Sequence, residues 1–148
     1  MRKIKLADWQ PTQKQITLVN EVMANERLTS GPLTKEFEEK FAKLHDRKYA
    51  IFTNSGTSAL QVSLHYLKEK YGWESWNEVL VPAVTFVASV NVILQNGLTP
   101  KLVDVDSETF NINPDKLKEA ITGNTRAIMP VHLLGQSCEM DKIMEIAK

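Results

Sequence analysis

Residues 49–58 read Tyr49-Ala-Ile-Phe-Thr-Asn-Ser-Gly-Thr-Ser58, a short apolar run that ends in small polar residues. The apolar run predicts a buried strand at residues 49–53. A glycine among hydroxyl residues follows, and then a stripe of leucines at helical spacing, so we expect a tight turn and a helix start. This order of strand, turn and helix is the unit from which parallel α/β sheets are built.

The same alternation continues along the rest of the chain. Apolar runs predict three further strands, at residues 79–81, 102–105 and 127–131. Helices are predicted between and after them, at residues 85–96, from Asn113-Pro114 onward and at residues 139–148. Together these elements predict an α/β fold of three layers, α/β/α, with a mostly parallel sheet.

Two helices are expected before the first strand. Thr12 and Gln15 form a Thr-x-x-Gln capping box, which opens a helix with Ile16, Val19 and Met23 on one face. Thr34 is placed to cap the next helix. The sequence therefore divides into N-terminal helices at residues 1–47 and βα units at residues 48–148.

Composition limits the kinds of partner. The 148 residues carry 18 basic and 18 acidic side chains, and this zero net charge argues against nucleic acid or an anionic membrane as the main partner. Cys138 is the only cysteine, so no internal disulfide is possible, which fits a cytoplasmic protein. Residues 1–6 lack the apolar region of a signal peptide.

Ser55-Gly-Thr-Ser58 is the most informative segment for chemistry. Free amides at a helix N-terminus carry partial positive charge, and they most often bind phosphate. Gly56 allows close approach of a ligand, and Thr57 and Ser58 add hydroxyl donors. The alternative is a helix cap without a ligand. Neither a Walker A loop nor a dinucleotide fingerprint is present in the sequence.

Two more segments follow predicted strands, where parallel sheets place their ligands. Phe86 ends Pro82-Ala-Val-Thr-Phe86 and is placed to stack on a flat aromatic cofactor, or else it is a core residue. His132 lies in Pro130-Val-His-Leu-Leu-Gly-Gln136 and either contacts a ligand or is a structural histidine satisfied by backbone.

No metal site is expected from the carboxylates. Asp104 and Asp106 lie two residues apart, but no cluster of histidines or further carboxylates accompanies them. We interpret them as strand-end and turn residues.

Five motifs in this order resemble the DegT-type nucleotide-sugar aminotransferases, which have the aspartate-aminotransferase fold (fold type I). The motifs are Arg27-Leu-Thr-Ser-Gly-Pro32, Phe52-Thr-Asn-Ser-Gly-Thr-Ser-Ala-Leu60, Glu78-Val-Leu-Val-Pro-Ala-Val-Thr-Phe86, Val103-Asp-Val-Asp106 and Ala127-Ile-Met-Pro-Val-His-Leu-Leu-Gly135. One departure stands out, because the family has Gly-Asp before Glu-Val and this sequence has Trp76-Asn77.

The resemblance implies roles for six residues. Gly56, Thr57 and Ser58 would bind the phosphate of pyridoxal 5'-phosphate, and Phe86 would stack on its pyridine ring. His132 and Gln136 would lie toward the substrate.

The resemblance also implies a reaction: transfer of an amino group, with glutamate as donor, onto a keto-sugar nucleotide by a homodimeric enzyme. The 148 residues would be the N-terminal portion of the large domain. The aspartate that pairs with the pyridine nitrogen and the Schiff-base lysine would lie downstream, so no catalytic residue is assigned here. The isolated chain is then expected to be inactive. The alternatives are a sugar dehydratase of the same family, with histidine in place of that lysine, and a truncated chain that acts only as a binding partner.

Overall fold

The computed structural model describes residues 9–25 and 27–148 and divides the chain into two units, Met1–Phe52 and Thr53–Lys148. The interpretation of residues 1–6 as lacking a signal peptide falls outside the described residues. None of the described helices is both long and apolar enough to cross a membrane.

The first unit contains two helices, α1 (Gln13–Asn25) and α2 (Pro32–Leu44). The predicted capping box is present, since the Thr12 amide donates to Gln15 Oε1 at 2.7 Å and the Gln15 amide donates to Thr12 Oγ1 at 3.3 Å. The predicted cap at Thr34 is wrong. Helix α2 starts two residues earlier at Pro32, because proline fits the first helical position, where no amide hydrogen is needed.

The predicted strand at residues 49–53 is also wrong. These residues have no regular secondary structure, and Tyr49 and Ile51 are 74% and 78% exposed. A strand exists only through pairing with a neighbour, and no described strand pairs with this segment. Phe52 is held locally instead, because its amide donates to Glu38 Oε1 at 2.8 Å and its ring packs edge-on against Phe37.

The second unit is built on a parallel sheet of three strands in the order β2-β1-β3. Its elements are α3 (Gly56–Tyr71), β1 (Glu78–Pro82), α4 (Ala88–Gln95), β2 (Thr99–Val103), α5 (Pro114–Ala120), β3 (Thr125–Ile128), a 3-10 turn at Leu133–Gly135 and α6 (Met140–Ile146). Each predicted helix and strand after residue 54 is present, although several boundaries differ.

The boundaries differ where backbone pairing decides them. Strand β2 begins three residues before its predicted start and two residues after the left-handed Gly97, because its register with β1 pairs Thr99 with Glu78. Beyond the end of β2, Val105 makes only an isolated antiparallel bridge with Ile112. Helix α4 begins three residues later than predicted, since the residues before Ala88 form a turn.

The core lies on both faces of β1. Val79 and Val81 are fully buried and pack with residues of α3 and α4, while Leu80 is fully buried on the other face with residues of α5 and α6. This arrangement of helices, sheet and helices confirms the predicted three-layer α/β/α fold with a parallel sheet. Local signals hold as well: Gly72 ends α3 with a φ of 61°, and the Asn113 side chain caps α5.

Glu78 joins all three strands at their amino ends. Its carboxylate accepts the hydroxyls of Thr122 and Thr125, beside β3, and lies 3.6 Å from the ammonium of Lys101 on β2. The Thr122 hydrogen bond, helped by the charge of Lys101, outweighs the effect of burial and holds the pKa of Glu78 below its ordinary 4.5.

We predict that Glu78→Gln lowers the free energy of unfolding at pH 7 by about 1–2 kcal/mol, the lower part of the range for hydrogen bonds to a charged group. A lowered folded pKa stabilises the protein fully above the ordinary carboxyl pKa of 4.5, and this stabilisation is lost as the pH falls through the folded value. The difference in unfolding free energy between the two proteins, measured by denaturant melts, should therefore be smaller at pH 4 than at pH 7. Glu119→Gln, in an exposed pair with Lys116, is the control and should change little at either pH. A Glu78→Gln deficit that is equal at both pH values contradicts this account.

Candidate active site

The turn before α3 is built by its own side chains. Ser55 has an extended backbone, and its hydroxyl accepts the amide of Ser58 at 3.1 Å. The hydroxyl of Ser58 donates to Asn54 Oδ1 at 2.7 Å and lies 3.0 Å from that of Ser55. The hydroxyl of Thr53 donates to the carbonyl of Ser55 at 2.9 Å. This network fixes the turn without any ligand.

The first two amides of α3 remain available. Among the described residues, no hydrogen-bond partner is present for the amides of Gly56 and Thr57 or for the Thr57 hydroxyl, and both residues are exposed. A Cβ at Gly56 would meet no atom within 4 Å, so the space beside its Cα is open. Unpaired donors at the positive end of a 16-residue helix suit a phosphate group.

Phe86 is exposed, so the alternative interpretation from the sequence, that it is a core residue, is wrong. Phe86 is 73% exposed, although it lies only four residues after Pro82, the buried end of β1. The turn that presents it is well anchored: the Ser89 amide donates to the Phe86 carbonyl at 3.0 Å, and the hydroxyls of Thr85 and Ser89 lie 3.0 Å apart. These contacts fix the backbone from which the exposed ring of Phe86 projects.

One cleft of about 630 Å³ connects these features. Gly56 and Thr57 line it together with Phe86, and the rest of its wall includes Leu60, Ser63, Thr85, Ala88, Ser89 and Val131. The cleft lies at the carboxyl end of β1, which is where ligands bind in sheets of this kind. We call it the Phe86 cleft.

The lining of the Phe86 cleft suits the binding of a ligand. Free amides and a hydroxyl line the cleft together with an exposed aromatic ring. A ligand with a phosphate and a flat ring would pair with the donors and stack on the ring. Of the described residues that line it, none is a lysine, histidine or carboxylate that could act as nucleophile or base.

Ser58, His132 and Gln136, the other predicted site residues, do not line the cleft. The amide and hydroxyl of Ser58 both serve the turn, as described above. His132 is exposed, and its Nδ1 accepts the amide of Cys138 at 3.0 Å, so neutral His132 carries its proton on Nε2. Gln136 is exposed, with no side-chain hydrogen bond among the described residues.

Asn111 is a structural residue of this region that the sequence did not reveal. It is 4% exposed, and its side chain donates to the Gln136 carbonyl and accepts the Leu133 amide, both at 3.0 Å. Cys138 closes the same loop, because its thiol donates to the Val131 carbonyl at 3.1 Å. Burial raises the pKa of the Cys138 thiol, which keeps this donor protonated. The contacts of Asn111 and Cys138 join residues that are at least 7 positions apart, so they leave no periodic signal in the sequence.

Comparison with known proteins finds relatives in sequence and in fold. A GDP-perosamine synthase from Caulobacter vibrioides is 46% identical over 118 residues, which are 80% of this chain and 31% of the synthase. The aminotransferase from Psychrobacter cryohalolentis superimposes with a TM-score of 0.84 and 36% identity, over 95% of this chain and 35% of that one. The Escherichia coli GDP-4-keto-6-deoxy-D-mannose-3-dehydratase with bound hydrated PLP superimposes with a TM-score of 0.89 and 33% identity, over 99% of this chain and 38% of that one.

The chain spans about a third of the length of the curated relatives it matches. The family model for the DegT/DnrJ/EryC1/StrS aminotransferases matches residues 10–148, which include every residue that lines the Phe86 cleft. The resemblance first seen in five motifs is thereby confirmed, and the chain belongs to the DegT/DnrJ/EryC1/StrS aminotransferase family.

Proposed function

We propose that these 148 residues form the N-terminal portion of the large domain of a pyridoxal 5'-phosphate-dependent aminotransferase that acts on a keto-sugar nucleotide, with glutamate as amino donor. The observation that carries the proposal is the Phe86 cleft, where unpaired amides at a helix start face the same space as an exposed aromatic ring. The homodimer and the cytoplasmic location expected from the sequence belong to the same proposal.

The residues of the Phe86 cleft fit this cofactor. The amides of Gly56 and Thr57 and the Thr57 hydroxyl would bind its phosphate, because they are the donors that no described residue uses. Phe86 would cover one face of its ring, since an exposed aromatic side chain gains most by stacking on a flat partner. Ser58 would act through the turn, by holding Asn54 and Ser55 in the conformation that frees the two amides.

When bound, pyridoxal phosphate supplies the electron sink for moving an amino group between an amino acid and a keto sugar. The described residues of this chain hold and orient it. His132, with its Nε2 proton directed by the Cys138 contact, and Gln136 are proposed to face the substrate. The lysine and the aspartate that complete the chemistry are proposed to follow these 148 residues in the full-length protein.

The nucleotide sugar is proposed from the relatives' names, because a GDP-perosamine synthase makes a GDP-linked amino sugar. A second function remains open. The E. coli 3-dehydratase superimposes at least as well as the P. cryohalolentis aminotransferase, and it carries PLP. The Phe86 cleft would hold the cofactor in the same way in either enzyme.

We predict that the full-length protein with pyridoxal phosphate, glutamate and GDP-4-keto-6-deoxy-D-mannose forms an amino sugar and an equal amount of 2-oxoglutarate. Liquid chromatography with mass spectrometry measures both products. Omission of glutamate is the control and should stop amino-sugar formation. Loss of the sugar 3-hydroxyl without a stable amino sugar would instead establish the dehydratase. If no keto-sugar nucleotide of a panel gave either product, both functions would be refuted.

Replacing Thr57 and Ser58 by alanine should weaken pyridoxal phosphate binding in the full-length protein by roughly 1–3 kcal/mol, the size of hydrogen bonds to a charged group. Fluorescence titration of the cofactor-free protein measures this. The single variants separate the two roles: Thr57→Ala removes a free donor, whereas Ser58→Ala disturbs the turn. Ser137→Ala removes an exposed hydroxyl away from the cleft and should bind normally. Unchanged affinity in the double variant would show that this turn does not hold the phosphate.

Phe86→Ala should weaken cofactor binding and shift the absorbance of the bound cofactor, while Phe86→Trp keeps an aromatic face and should bind with little loss. The matched control is Leu94→Ala, which removes another exposed apolar side chain from the following helix, away from the cleft. Absorbance spectra and titrations of the three variants decide the matter. If Phe86→Ala and Leu94→Ala behave alike, Phe86 does not contact the cofactor.

A further inference from the structure

The end of α3 and the chain between α3 and β1 carry three aromatic residues, Tyr71, Trp73 and Trp76, that the family resemblance does not explain. Trp76 stands where the family has the glycine of Gly-Asp, and it is 61% exposed. Tyr71 is 58% exposed, and its ring stacks on that of the buried Trp73 at a centroid distance of 6.1 Å and an angle of 18°. Large exposed rings that the common reaction does not need indicate a property particular to this protein.

The backbone that presents these rings is firmly held. The Asn77 side chain is buried and accepts the Glu74 amide at 2.8 Å, and the Asn77 amide returns a hydrogen bond to the Glu74 carbonyl at 2.9 Å. The hydroxyl of Thr99, at the start of β2, donates to the Ser75 carbonyl at 2.9 Å. A turn that is already ordered loses little conformational freedom when a ligand binds.

Tyr71 and Trp76 line one cleft of about 590 Å³, together with Glu74 and Arg126. We call it the Trp76 cleft. It lies beside the amino ends of β1 and β3, whereas the Phe86 cleft lies at the carboxyl end of β1. The five residues of β1 separate the two ends by roughly 15 Å.

The polar groups of the Trp76 cleft include the carboxylate of Glu74 and the guanidinium of Arg126. Arg126 is held by hydrogen bonds from Nη1 to the carbonyls of Gly123 and Thr125, both at 2.9 Å. Its other guanidinium N–H groups and the Glu74 carboxylate have no partner among the described residues. The cleft thus offers aromatic faces, a carboxylate acceptor and guanidinium donors to one ligand.

The charges around the Trp76 cleft favour a neutral ligand. Glu74 and Arg126 cancel in net charge, so neither an anion nor a cation is preferred by the pair. Gly72, which lines the cleft, ends α3, and the last carbonyls of a helix carry partial negative charge. The ammonium of Lys70, 5.2 Å from the centroid of the Tyr71 ring, partly offsets that negative charge. The groups around the cleft therefore come close to balancing, which suits an uncharged molecule.

We propose that the Trp76 cleft is a binding site for a neutral carbohydrate, a short chain of pyranose units. The C–H face of a pyranose ring packs on an exposed aromatic ring such as that of Trp76, whereas the Tyr71 ring already contacts Trp73 and Lys70 and forms the wall beside it. Its hydroxyls are both donors and acceptors, so neighbouring hydroxyls can donate to Glu74 and accept from Arg126. The full-length protein therefore binds glycan at a surface that does not depend on the cofactor.

The test uses the full-length protein with three uncharged probes, maltotetraose, cellotetraose and chitotetraose, and with AMP as a nucleotide probe. Saturation-transfer NMR and titration calorimetry measure binding. We expect at least one tetrasaccharide to bind, Trp76→Ala to weaken it at least tenfold and Trp76→Tyr to retain most of the affinity. Glu74→Gln should weaken the same tetrasaccharide several-fold. Trp9→Ala, at another exposed tryptophan, should change nothing.

Three results would overturn the proposal: no tetrasaccharide binds, the bound one is unaffected by Trp76→Ala, or AMP binds through Trp76 more tightly than any tetrasaccharide. Circular dichroism identifies a Trp76→Ala protein that has not folded, and Glu74→Gln then decides alone by keeping or losing saccharide affinity. Cofactor titration of Trp76→Ala separates this site from the proposed enzyme activity. Loss of saccharide binding with unchanged pyridoxal phosphate affinity supports glycan binding in the Trp76 cleft and leaves the proposed enzyme activity untouched.

Discussion

Strand β1 must be covered on both faces, and the second unit is organised around that requirement. Val79, Leu80 and Val81 are fully buried, and each gains roughly 1.5–3 kcal/mol from removal of its side chain from water. Because successive side chains point to opposite faces, a single helix layer cannot cover all three. Helices α3 and α4 are therefore needed on one face, and α5 and α6 on the other.

This burial also determines where ligands can bind. The interior of the strand is closed by packing, so only its two ends remain open to solvent. In a parallel sheet the helices that follow the strands start near the carboxyl ends and finish near the amino ends. Gly56 and Thr57 at the start of α3 meet Phe86 at one end, while Gly72 at the finish of α3 lies beside Trp76 at the other.

The sequence predicts those features that depend on neighbouring residues and fails for those that depend on distant ones. The Thr12 capping box and the Asn113 cap are correct because each is made within one helical turn. The strand at residues 49–53 is wrong because an apolar run does not specify a partner. For the candidate site, the sequence predicted Gly56 and Thr57 from small residues at a helix start and Phe86 from its place after β1, but it could not reveal Asn111, whose role rests on contacts more than 20 residues away.

The two ends of β1 differ in electrostatic character, and this difference follows from the fold itself. At the carboxyl end the free amides of α3 project partial positive charge into the Phe86 cleft, and no described carboxylate lines that cleft. At the amino end the carbonyls of α3 reverse the sign, and Lys68 and Lys70 in its last turn partly offset them. Arg126 and Glu74 then balance each other across the Trp76 cleft. One helix thus favours an anionic group at its start and an uncharged group at its end. At physiological salt, charges are screened within about 8 Å, which is less than the distance between the two ends of β1. A charge substitution in one cleft therefore leaves the electrostatic potential in the other largely unchanged.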